Sequence, residues 1–257
     1  MKDESWRRKD FSKYDVVFHV AGIAHVSSNP KMKSLYYKVN RDLAIETANK
    51  AKAEGVKQFI FMSSIIVYGS NCKNQIITKK TVPEPSNYYG DSKLQAEKGI
   101  LLLEDKYFKV VVIRAPMVYG KGAKGNYLKL SKVAQKLPIF PNIENKRSLI
   151  HIDNLCEFIK QMIDNEERGL FFPQNREYVK TSDLVKLIAE IHGKKIILTK
   201  IFNPIIKFMK GKVELIDKVF GSLVYEQSMS NYKTDYRIWN LKESITETEM
   251  VKDGKEV

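Results

Sequence analysis

The pair of residues with the clearest chemistry in this sequence is a tyrosine followed four positions later by a lysine, Tyr89 and Lys93. Residues four apart lie on the same face of a helix, one turn apart. A tyrosine hydroxyl has an ordinary pKa near ~10, and a neighbouring ammonium group favours the phenolate and lowers that pKa. The pair could therefore exchange a proton with a hydroxyl or a ketone. With 13 tyrosines in the chain, this spacing alone is more typical of an exposed helical pair.

Two serines, Ser63 and Ser64, end an apolar run upstream of Tyr89. Open α/β sheets bind their ligands at the carboxyl ends of the strands, so a hydroxyl at that edge is well placed for a substrate. Ser64 could then hydrogen-bond the same oxygen that exchanges a proton with Tyr89. Without further context the two serines are also typical of residues that cap a strand end.

Apolar runs alternate with helical patterns around these residues. The runs are short enough for buried strands of a parallel sheet, and the helical patterns are long enough to cross over such a sheet. This order predicts βαβ units and an α/β fold. We predict strands at 14–22, 56–63 and 108–114 and helices at 35–54 and 89–106, with Leu35, Val39, Leu43 and Thr47 on one side of the first helix.

The pattern changes after about Pro116, where the elements become shorter and mostly helical. The domain boundaries that follow are 1–116 and 117–257, with the sheet and the smaller lobe interleaved. A polar tail after Thr246 is expected to fray. In the lobe we predict helices at 126–137, 153–165 and 181–192 and a short strand at 147–152.

A glycine-rich stretch, GKGAKG at 120–125, fits the dinucleotide-binding pattern G-x-G-x-x-G. That pattern needs its first glycine in the tight turn directly after a strand. Here 115–119, with Pro116 inside, separates the first glycine from the preceding predicted strand. We therefore interpret the stretch as a basic loop over the substrate, with Asn126 at its end.

The chain of 257 residues carries 44 basic and 30 acidic residues, for a net charge of +14. This balance suits phosphate-bearing ligands, but the basic residues are spread out and no nucleic-acid motif is present, so we expect no nucleic-acid partner. The segment 191–212 combines six lysines and no acidic residue with the sequence IFNPIIKFM. It fits either a helix of the lobe packed by its apolar side or a membrane-surface helix.

The two cysteines, Cys72 and Cys156, are far apart and fit no metal or redox spacing, so we expect no metal site. No stretch approaches the ~18 apolar residues that span a bilayer, and the charged start of the chain does not form a secretory signal. The sequence therefore favours a cytoplasmic protein in a reducing compartment.

Several motifs occur in the order typical of the extended short-chain dehydrogenase/reductases, which include the NAD-dependent epimerase/dehydratase family that acts on nucleotide-sugars. The sequence resembles this family from Tyr14 to about Ile245. The resemblance implies a Rossmann-like, NAD(P)-binding parallel sheet in 1–116 and a substrate-binding lobe in 117–257. The matching segments are HVAG at 19–22, YKVN at 37–40, SSIIVYG at 63–69, YGDSK at 89–93, IRAPMVYG at 113–120 and NKRSLIHIDNL at 145–155.

The resemblance also assigns roles to single residues. Ser64, Tyr89 and Lys93 fall on the catalytic positions, where they are the serine that holds the reacting oxygen, the base, and the lysine that also binds the cofactor ribose. Arg147 falls on the arginine that contacts the substrate diphosphate, a role suited to a guanidinium, and Asn126 is a further substrate-binding candidate. The cofactor-binding positions are Ala21, Gly22, Asn40, Ser63, Tyr89, Lys93 and Pro116.

The same resemblance implies NAD or NADP as cofactor and a UDP-linked sugar as substrate, and it leaves a homodimer open. The branch it fits contains 4-epimerases and 4-keto-6-deoxy-sugar reductases of surface-polysaccharide synthesis, which the sequence does not separate. In the 4,6-dehydratases an aspartate and a glutamate directly follow the catalytic serine or threonine. Ile65 and Ile66 stand there and cannot transfer protons, so dehydration is rejected.

The glycine-rich cofactor loop of the family lies in a first βαβ unit that finds no counterpart in this sequence. Only 13 residues precede the first predicted strand, against the ~30 of a βαβ unit. We therefore expect an incomplete, N-terminally truncated Rossmann-like sheet. This leaves a second hypothesis open, in which the chain is a catalytically inactive remnant, or a fragment that binds no cofactor of its own.

Overall fold

The computed structural model describes residues 4–24, 30–69 and 76–250, and Cys72 lies outside these ranges. The chain divides into two compact units. One change from the first unit to the second falls after Pro116, and 158–173 returns to the first unit. The first unit is Met1–Cys72, Thr78–Pro116 and Phe158–Pro173, and the second is Lys73–Ile77, Met117–Glu157 and Gln174–Val257.

The elements are numbered in chain order. The strands are β1 (Val16–His19), β2 (Gln58–Ser64), β3 (Ile76–Ile77), β4 (Lys109–Ala115), β5 (Met117–Tyr119), β6 (Ile139–Pro141), β7 (Leu149–His151), β8 (Gly169–Phe171), β9 (Ile197–Thr199) and β10 (Val224–Tyr225). The helices are α1 (Lys33–Tyr36), α2 (Leu43–Ala53), α3 (Tyr88–Leu101), α4 (Asn126–Lys136), α5 (Ile152–Asp164), α6 (Thr181–Ile191), α7 (Asn203–Met209), α8 (Glu214–Phe220) and α9 (Leu241–Glu249). None of the helices in the described ranges is long and apolar enough to cross a membrane.

A four-stranded parallel sheet organises the first unit, in the order β1-β2-β4-β8. Its strands are short runs rich in apolar and β-branched residues, which favour a sheet that is covered on both faces. β2 and β4 pair over their whole length, so that Ser64 at the end of β2 stands opposite Ala115 at the end of β4. In the described residues β1 pairs with β2 alone. The parallel α/β fold expected from the sequence is confirmed.

The chain between β1 and β2 is helical from α1 to α2, but the segment between these helices, Tyr37–Asp42, is π-helical. The predicted apolar side is wrong in this region, because Leu35 is exposed and only Thr47 of the four expected residues is buried. A π-helical turn holds more residues than an α-helical turn and shifts the faces, and small side chains let α2 pack closely. The buried side carries Tyr36, Asn40, Ala44, Ala48 and Ala51.

Pairs of short parallel strands and several helices make up the second unit. β5 pairs with β7, β6 with β9, and β3 with β10. α4, α6 and α9 pack around an apolar cluster that includes Tyr119, Phe140 and Ile188. The lobe is mostly helical, as the sequence predicts. α9 continues to Glu249, so the residues after Thr246 that were expected to fray still begin in a helix.

Candidate active site

The first turn of α3 lies against the carboxyl end of β2. Asn87 caps α3, because its side-chain oxygen accepts a hydrogen bond from the backbone N–H of Gly90 at 2.9 Å. Gly90 has no room for a side chain, since a Cβ there would lie 2.8 Å from the carbonyl oxygen of Ile66. The cap and the close approach at the glycine bring Tyr89 beside Ser64, the last residue of β2.

The side chains of Tyr89 and Ser64 lie close enough for Ser64 to affect the pKa of the phenol. Ser64 Oγ also accepts from the backbone N–H of Ile66 at 3.3 Å, which holds the serine at the start of a short 3-10 turn. Burial raises the pKa of Tyr89, and the neighbouring Ser64 side chain only partly offsets this effect. The predicted lowering of this pKa by Lys93 is therefore wrong for this arrangement, because removal of the phenol from water outweighs the effects that favour the phenolate.

The ammonium group of Lys93 is buried one helical turn after Tyr89. It donates a hydrogen bond to the carbonyl oxygen of Met62 at 2.8 Å and lies 4.6 Å from the centre of the Phe61 ring. Burial lowers the pKa of Lys93 to about 8, and the carboxylate of Glu97 acts in the opposite direction. At neutral pH the lysine is mostly charged but holds its proton less tightly than usual, which suits a group that takes part in proton exchange.

Asn40 fixes the loop that follows β1. Its side-chain oxygen accepts from the backbone N–H of Ile23 at 2.8 Å, and its amide donates to the carbonyl oxygen of Ile23 at 3.1 Å. The same amide reaches Oγ of Ser92 on α3 at 3.2 Å. Because Asn40 is fully buried and bonded on both sides, it ties the loop after β1 to the helix that carries the tyrosine and the lysine.

Next to the ammonium group of Lys93 the backbone has a glycine, Gly22, where a side chain would have little room. A Cβ on Gly22 would lie 3.0 Å from the side-chain oxygen of Asn40 and 3.3 Å from Nζ of Lys93, which is tighter than side chains normally adopt. Ala21 directly precedes this glycine, and Pro116 directly follows the residue that pairs with Ser64, so it stands at the carboxyl edge of the sheet. This edge of bare backbone, lysine and proline fits the flat nicotinamide and the ribose of a dinucleotide cofactor.

A buried charged network behind the site is not predicted by the sequence analysis. Glu97 lies one turn after Lys93 on α3 and pairs with Arg114 on β4, with Nη2 and Oε2 2.6 Å apart. Arg114 also donates to the hydroxyl of Tyr68 at 2.7 Å. The spacing of four residues between Lys93 and Glu97 is the sequence signal that could have placed both on one helical face.

Ser63 belongs to this network. Its hydroxyl donates to the carboxylate of Glu97, and the residue is 3% exposed. The prediction that Ser63 binds the cofactor is corrected for its hydroxyl, which the structure directs to the interior. Successive residues of a strand point to opposite sides, so Ser63 and Ser64 cannot both face a ligand in the same way.

His19 ends β1 within the HVAG motif and is 3% exposed. Burial, together with the charge of Lys93, lowers the pKa of His19 to about 4, so the ring is neutral at physiological pH. The ring lies 6.0 Å from those of Phe59 and Phe61. His19 therefore acts as an uncharged aromatic wall behind the loop at Ala21.

The second unit contains a cavity of about 390 Å³ that both predicted substrate-binding residues line, Asn126 at the start of α4 and Arg147. Arg147 donates to the carbonyl oxygens of Gly221 at 3.1 Å and Lys218 at 2.8 Å. Burial lowers the pKa of Arg147 to about 10, which leaves it charged at neutral pH. The structure thus brings Asn126 and Arg147 to one cavity.

The wall of this cavity is mostly apolar. Lys129 and Lys218 add basic residues to Arg147 at its lining. The combination suits a ligand with an anionic group next to a flat or apolar group. The apolar part of the wall includes Leu130, Val133, Phe140, Val179, Ile216 and Phe220.

The glycine-rich stretch at 120–125 lies before α4 in the second unit. Gly120 directly follows β5, so the prediction that no strand ends next to it is wrong. However, β5 pairs with β7 and does not belong to the sheet β1-β2-β4-β8. Because a dinucleotide loop follows a strand of the main sheet, this geometry favours the interpretation as a basic loop that leads to Asn126.

A parallel sheet with serine, tyrosine and lysine at its carboxyl edge defines a Rossmann-like protein of the short-chain dehydrogenase/reductase class. The profile of one family of this class, the NAD dependent epimerase/dehydratase family, matches residues 1–171. The chain belongs to this family.

Individual relatives have related names. A UDP-glucose 4-epimerase of Vibrio cholerae is 33% identical over 224 residues, which cover 81% of this chain and 67% of that protein. An N-acetyl-alpha-D-glucosaminyl-diphospho-ditrans,octacis-undecaprenol 4-epimerase of Escherichia coli O157:H7 is 32% identical over 168 residues, which cover 62% of this chain and 48% of that protein. A UDP-glucuronic acid 4-epimerase from Bacillus cereus, solved with a UDP-sugar and NAD, has the same fold, with a TM-score of 0.72 at 18% identity over 97% of this chain and 79% of that one.

Proposed function

We propose that the protein is a sugar 4-epimerase that uses NAD or NADP to oxidise and re-reduce C4 of a UDP-linked sugar. The observation that carries this proposal is the placement of Tyr89 next to Ser64 at the carboxyl edge of the sheet, one helical turn before the buried Lys93. The names of both sequence relatives favour an epimerase over a 4-keto reductase. Synthesis of surface polysaccharides is the role that fits this branch of the family.

In the proposed reaction Tyr89 takes the proton of the sugar C4 hydroxyl, and Ser64 hydrogen-bonds that oxygen while it becomes a carbonyl. Bound NAD or NADP supplies the acceptor, and then the donor, of the C4 hydride. Burial favours the protonated form of Tyr89, and a protonated phenol cannot act as a base. We therefore propose that the ammonium group of Lys93 leaves the carbonyl oxygen of Met62 and stabilises the phenolate of Tyr89 during the reaction. Tyr89 returns the proton to the C4 oxygen of the epimer.

The nicotinamide end of the cofactor would lie beside Lys93, where the backbone at Gly22 has no side chain. Gly22 gives the closest approach, and Asn40 keeps its loop in place. Lys93 would hydrogen-bond the ribose, and Pro116 would lie against the nicotinamide ring. All four of these residues belong to the first unit.

The cavity of the second unit is the proposed site for the diphosphate-linked part of the substrate. The buried guanidinium of Arg147 uses two of its donors on backbone carbonyl oxygens, and a guanidinium has five N–H donors in a planar fork. The others suit a diphosphate oxygen, and Asn126 adds an amide. The net charge of +14 also favours a substrate of this kind.

A second candidate substrate is a sugar carried on a polyprenyl diphosphate, the class that the name of the Escherichia coli relative describes. The apolar wall of the cavity favours it, because an alkyl chain next to the diphosphate needs apolar surroundings. Val133, Phe140 and Ile216 line the same cavity as Arg147. The two candidates share the diphosphate and differ in what lies beyond it.

Turnover of each candidate substrate tests the proposal. The purified chain would be incubated with NAD or NADP, at a concentration well above the weak half-saturation expected for this chain, and with either UDP-glucose or N-acetylglucosaminyl-diphospho-undecaprenol, and the 4-epimer would be measured by NMR. Tyr89→Phe should lower turnover by about 100-fold or more, because it removes the proton carrier. The matched control is Tyr88→Phe, since Tyr88 is the neighbouring tyrosine on α3 and its ring lies 5.4 Å from Nζ of Lys33. Unchanged turnover in Tyr89→Phe would remove Tyr89 from the mechanism.

The same experiment addresses the alternative of an inactive remnant. In that case the parent chain would give no 4-epimer with either substrate or cofactor, although UDP would still bind to the second unit. Binding of UDP without turnover would therefore favour the remnant over the epimerase.

A further inference from the structure

The helix α7 and the turn before it expose large apolar side chains. Ile201 is 79% exposed, Ile205 62% and Phe208 72%. Ile205 and Phe208 are three residues apart and lie on the same side of α7, and Ile201 lies in the turn before the helix. Phe202, which is 43% exposed, adjoins them. We call these four residues the α7 face.

The inward side of α7 is anchored, so the exposure of the α7 face is a property of the folded unit. Ile206 is 8% exposed and packs into the apolar cluster of the second unit. Asn203 donates from its side-chain amide to the carbonyl oxygen of Asn142 at 3.0 Å. The helix formed by IFNPIIKFM therefore has one buried and one exposed apolar side. The predicted packing of this helix by its apolar side applies to Ile206 but not to Ile205 and Phe208.

Positive charge surrounds the α7 face. The segment 191–212 holds six lysines and no acidic residue. Lys200, Lys207 and Lys212 are exposed, and Nζ of Lys212 lies 3.7 Å from the centre of the Phe208 ring. Two carboxylates described near this segment already have partners, since Glu144 is paired with Lys180 and Asp217 accepts from the backbone N–H of Gly211 at 2.9 Å.

We propose that the α7 face docks the protein onto the surface of an anionic lipid bilayer. Exposed apolar side chains that are rimmed by lysines, on a helix that lies flat on the protein, match the interface between acyl chains and acidic head groups. A second copy of this chain is a poor occupant, because symmetric pairing of the α7 face would bring exposed lysines such as Lys207 and Lys212 against their own copies. Nucleic acid is a poor occupant because aliphatic side chains such as Ile201 and Ile205 offer it neither charge nor hydrogen bonds.

Cosedimentation with vesicles tests this proposal without reference to catalysis. The full chain would be mixed with phosphatidylcholine vesicles that contain phosphatidylglycerol, and with vesicles of phosphatidylcholine alone. We expect binding to the anionic vesicles that weakens as salt is raised. The double variant Ile205→Ser, Phe208→Ser should bind the anionic vesicles at least about tenfold more weakly than the parent. The double variant Lys207→Glu, Lys212→Glu should show a loss of the same size.

Matched controls carry the same chemical changes elsewhere on the surface. Leu102→Ser alters a leucine that is 86% exposed, and Lys79→Glu, Lys80→Glu changes the net charge by the same amount as the lysine variant on α7. Both should bind within about twofold of the parent. Circular dichroism melting of every variant checks that the chain remains folded, which is expected because the altered side chains are exposed.

Three outcomes would overturn the proposal. The first is absence of binding by the parent chain to the anionic vesicles. The second is equal binding by the parent and by the Ile205→Ser, Phe208→Ser variant. The third is a concentration-dependent dimer in sedimentation velocity that these substitutions abolish, since the α7 face would then join two copies of the chain. A chain that binds vesicles but turns over no sugar would leave the docking surface established and the proposed function refuted.

Discussion

Glu97 and Arg114 form a buried ion pair in which both carboxylate oxygens accept hydrogen bonds from the guanidinium. Nε of Arg114 lies 3.1 Å from each oxygen of Glu97, and Nη2 lies 2.6 Å from one of them. The side chains are 2% and 8% exposed. Glu97 also accepts a hydrogen bond from the hydroxyl of Ser63 and lies one helical turn after Lys93. The Glu97–Arg114 pair therefore connects the core of the first unit to the candidate site.

Glu97→Gln should lower the free energy of unfolding by about 3–5 kcal/mol, because it leaves the guanidinium of Arg114 buried without a counter-charge. Denaturant unfolding measures this loss. The control is Glu190→Gln, since Glu190 is 56% exposed and its contact with Lys186 is long at 3.8 Å, so a loss of about 1 kcal/mol or less is expected. Equal stability of Glu97→Gln and the parent would show that the pair is not a structural requirement.

Lys93 should make stability increase with pH in the alkaline range. Its pKa is about 8 in the folded chain and near ~10.4 in an unfolded chain, so between these values the unfolded state binds more protons. The free energy of unfolding should therefore rise from pH ~8 towards ~10, by about 2–3 kcal/mol relative to Lys93→Met, whose side chain does not titrate. Urea unfolding across this range gives the difference, with the exposed Lys98→Met on the same helix as control. Parallel stability curves for the parent and Lys93→Met would contradict the lowered pKa.

Arg147→Ala should weaken the binding of UDP by about 10- to 100-fold, the value of a lost charge-assisted hydrogen bond. Isothermal titration calorimetry measures it. Arg176→Ala is the matched control, because Arg176 is 66% exposed and pairs with Asp235. If the Arg147 variant bound UDP as the parent does, the role of Arg147 would be confined to its bonds with Gly221 and Lys218.

The 257-residue chain should bind NADH only weakly, with half-saturation at about 1 mM or higher. In the proposed site the residues beside Tyr89 and Lys93 would contact only the nicotinamide and its ribose, whereas a pyrophosphate normally rests on a glycine turn and a helix N-terminus after a strand of the main sheet. The described residues show no such turn in the sheet β1-β2-β4-β8. Titration followed by NADH fluorescence checks this expectation. Saturable micromolar binding would contradict it and would return the glycines at 120–125 to consideration as a phosphate loop.

The local parts of the site could be predicted from the sequence. The spacing of Tyr89 and Lys93 places both on α3, because helix periodicity fixes neighbours four residues apart. Ser64 follows from the end of an apolar run, since the carboxyl edge of a parallel sheet is determined by the chain direction. The same reasoning gives the parallel sheet and the mostly helical second unit.

Features that depend on distant partners could not be predicted in this way. The hydroxyl of Ser63 is directed inward by Glu97, 34 residues away, and the pKa of Tyr89 is governed by burial, which the sequence pattern does not quantify. β5 is only three residues long and too short for a periodic signal. The exposure of the α7 face depends on Ile206 alone entering the core, a choice that tertiary packing makes.

The π-helical segment Tyr37–Asp42 amounts to one extra residue wound into an otherwise regular helix, because its hydrogen bonds span five positions instead of four. Each residue of a helix turns the side-chain direction by about 100°. Removal of one residue here would leave a more regular helix but would rotate Asn40 away from the loop at Ile23, or rotate α2 away from the sheet. The π-helical turn therefore allows Asn40 to bond the loop at Ile23 while α2 packs against the sheet. A one-residue deletion here would disturb the candidate site and would not be a neutral change in length.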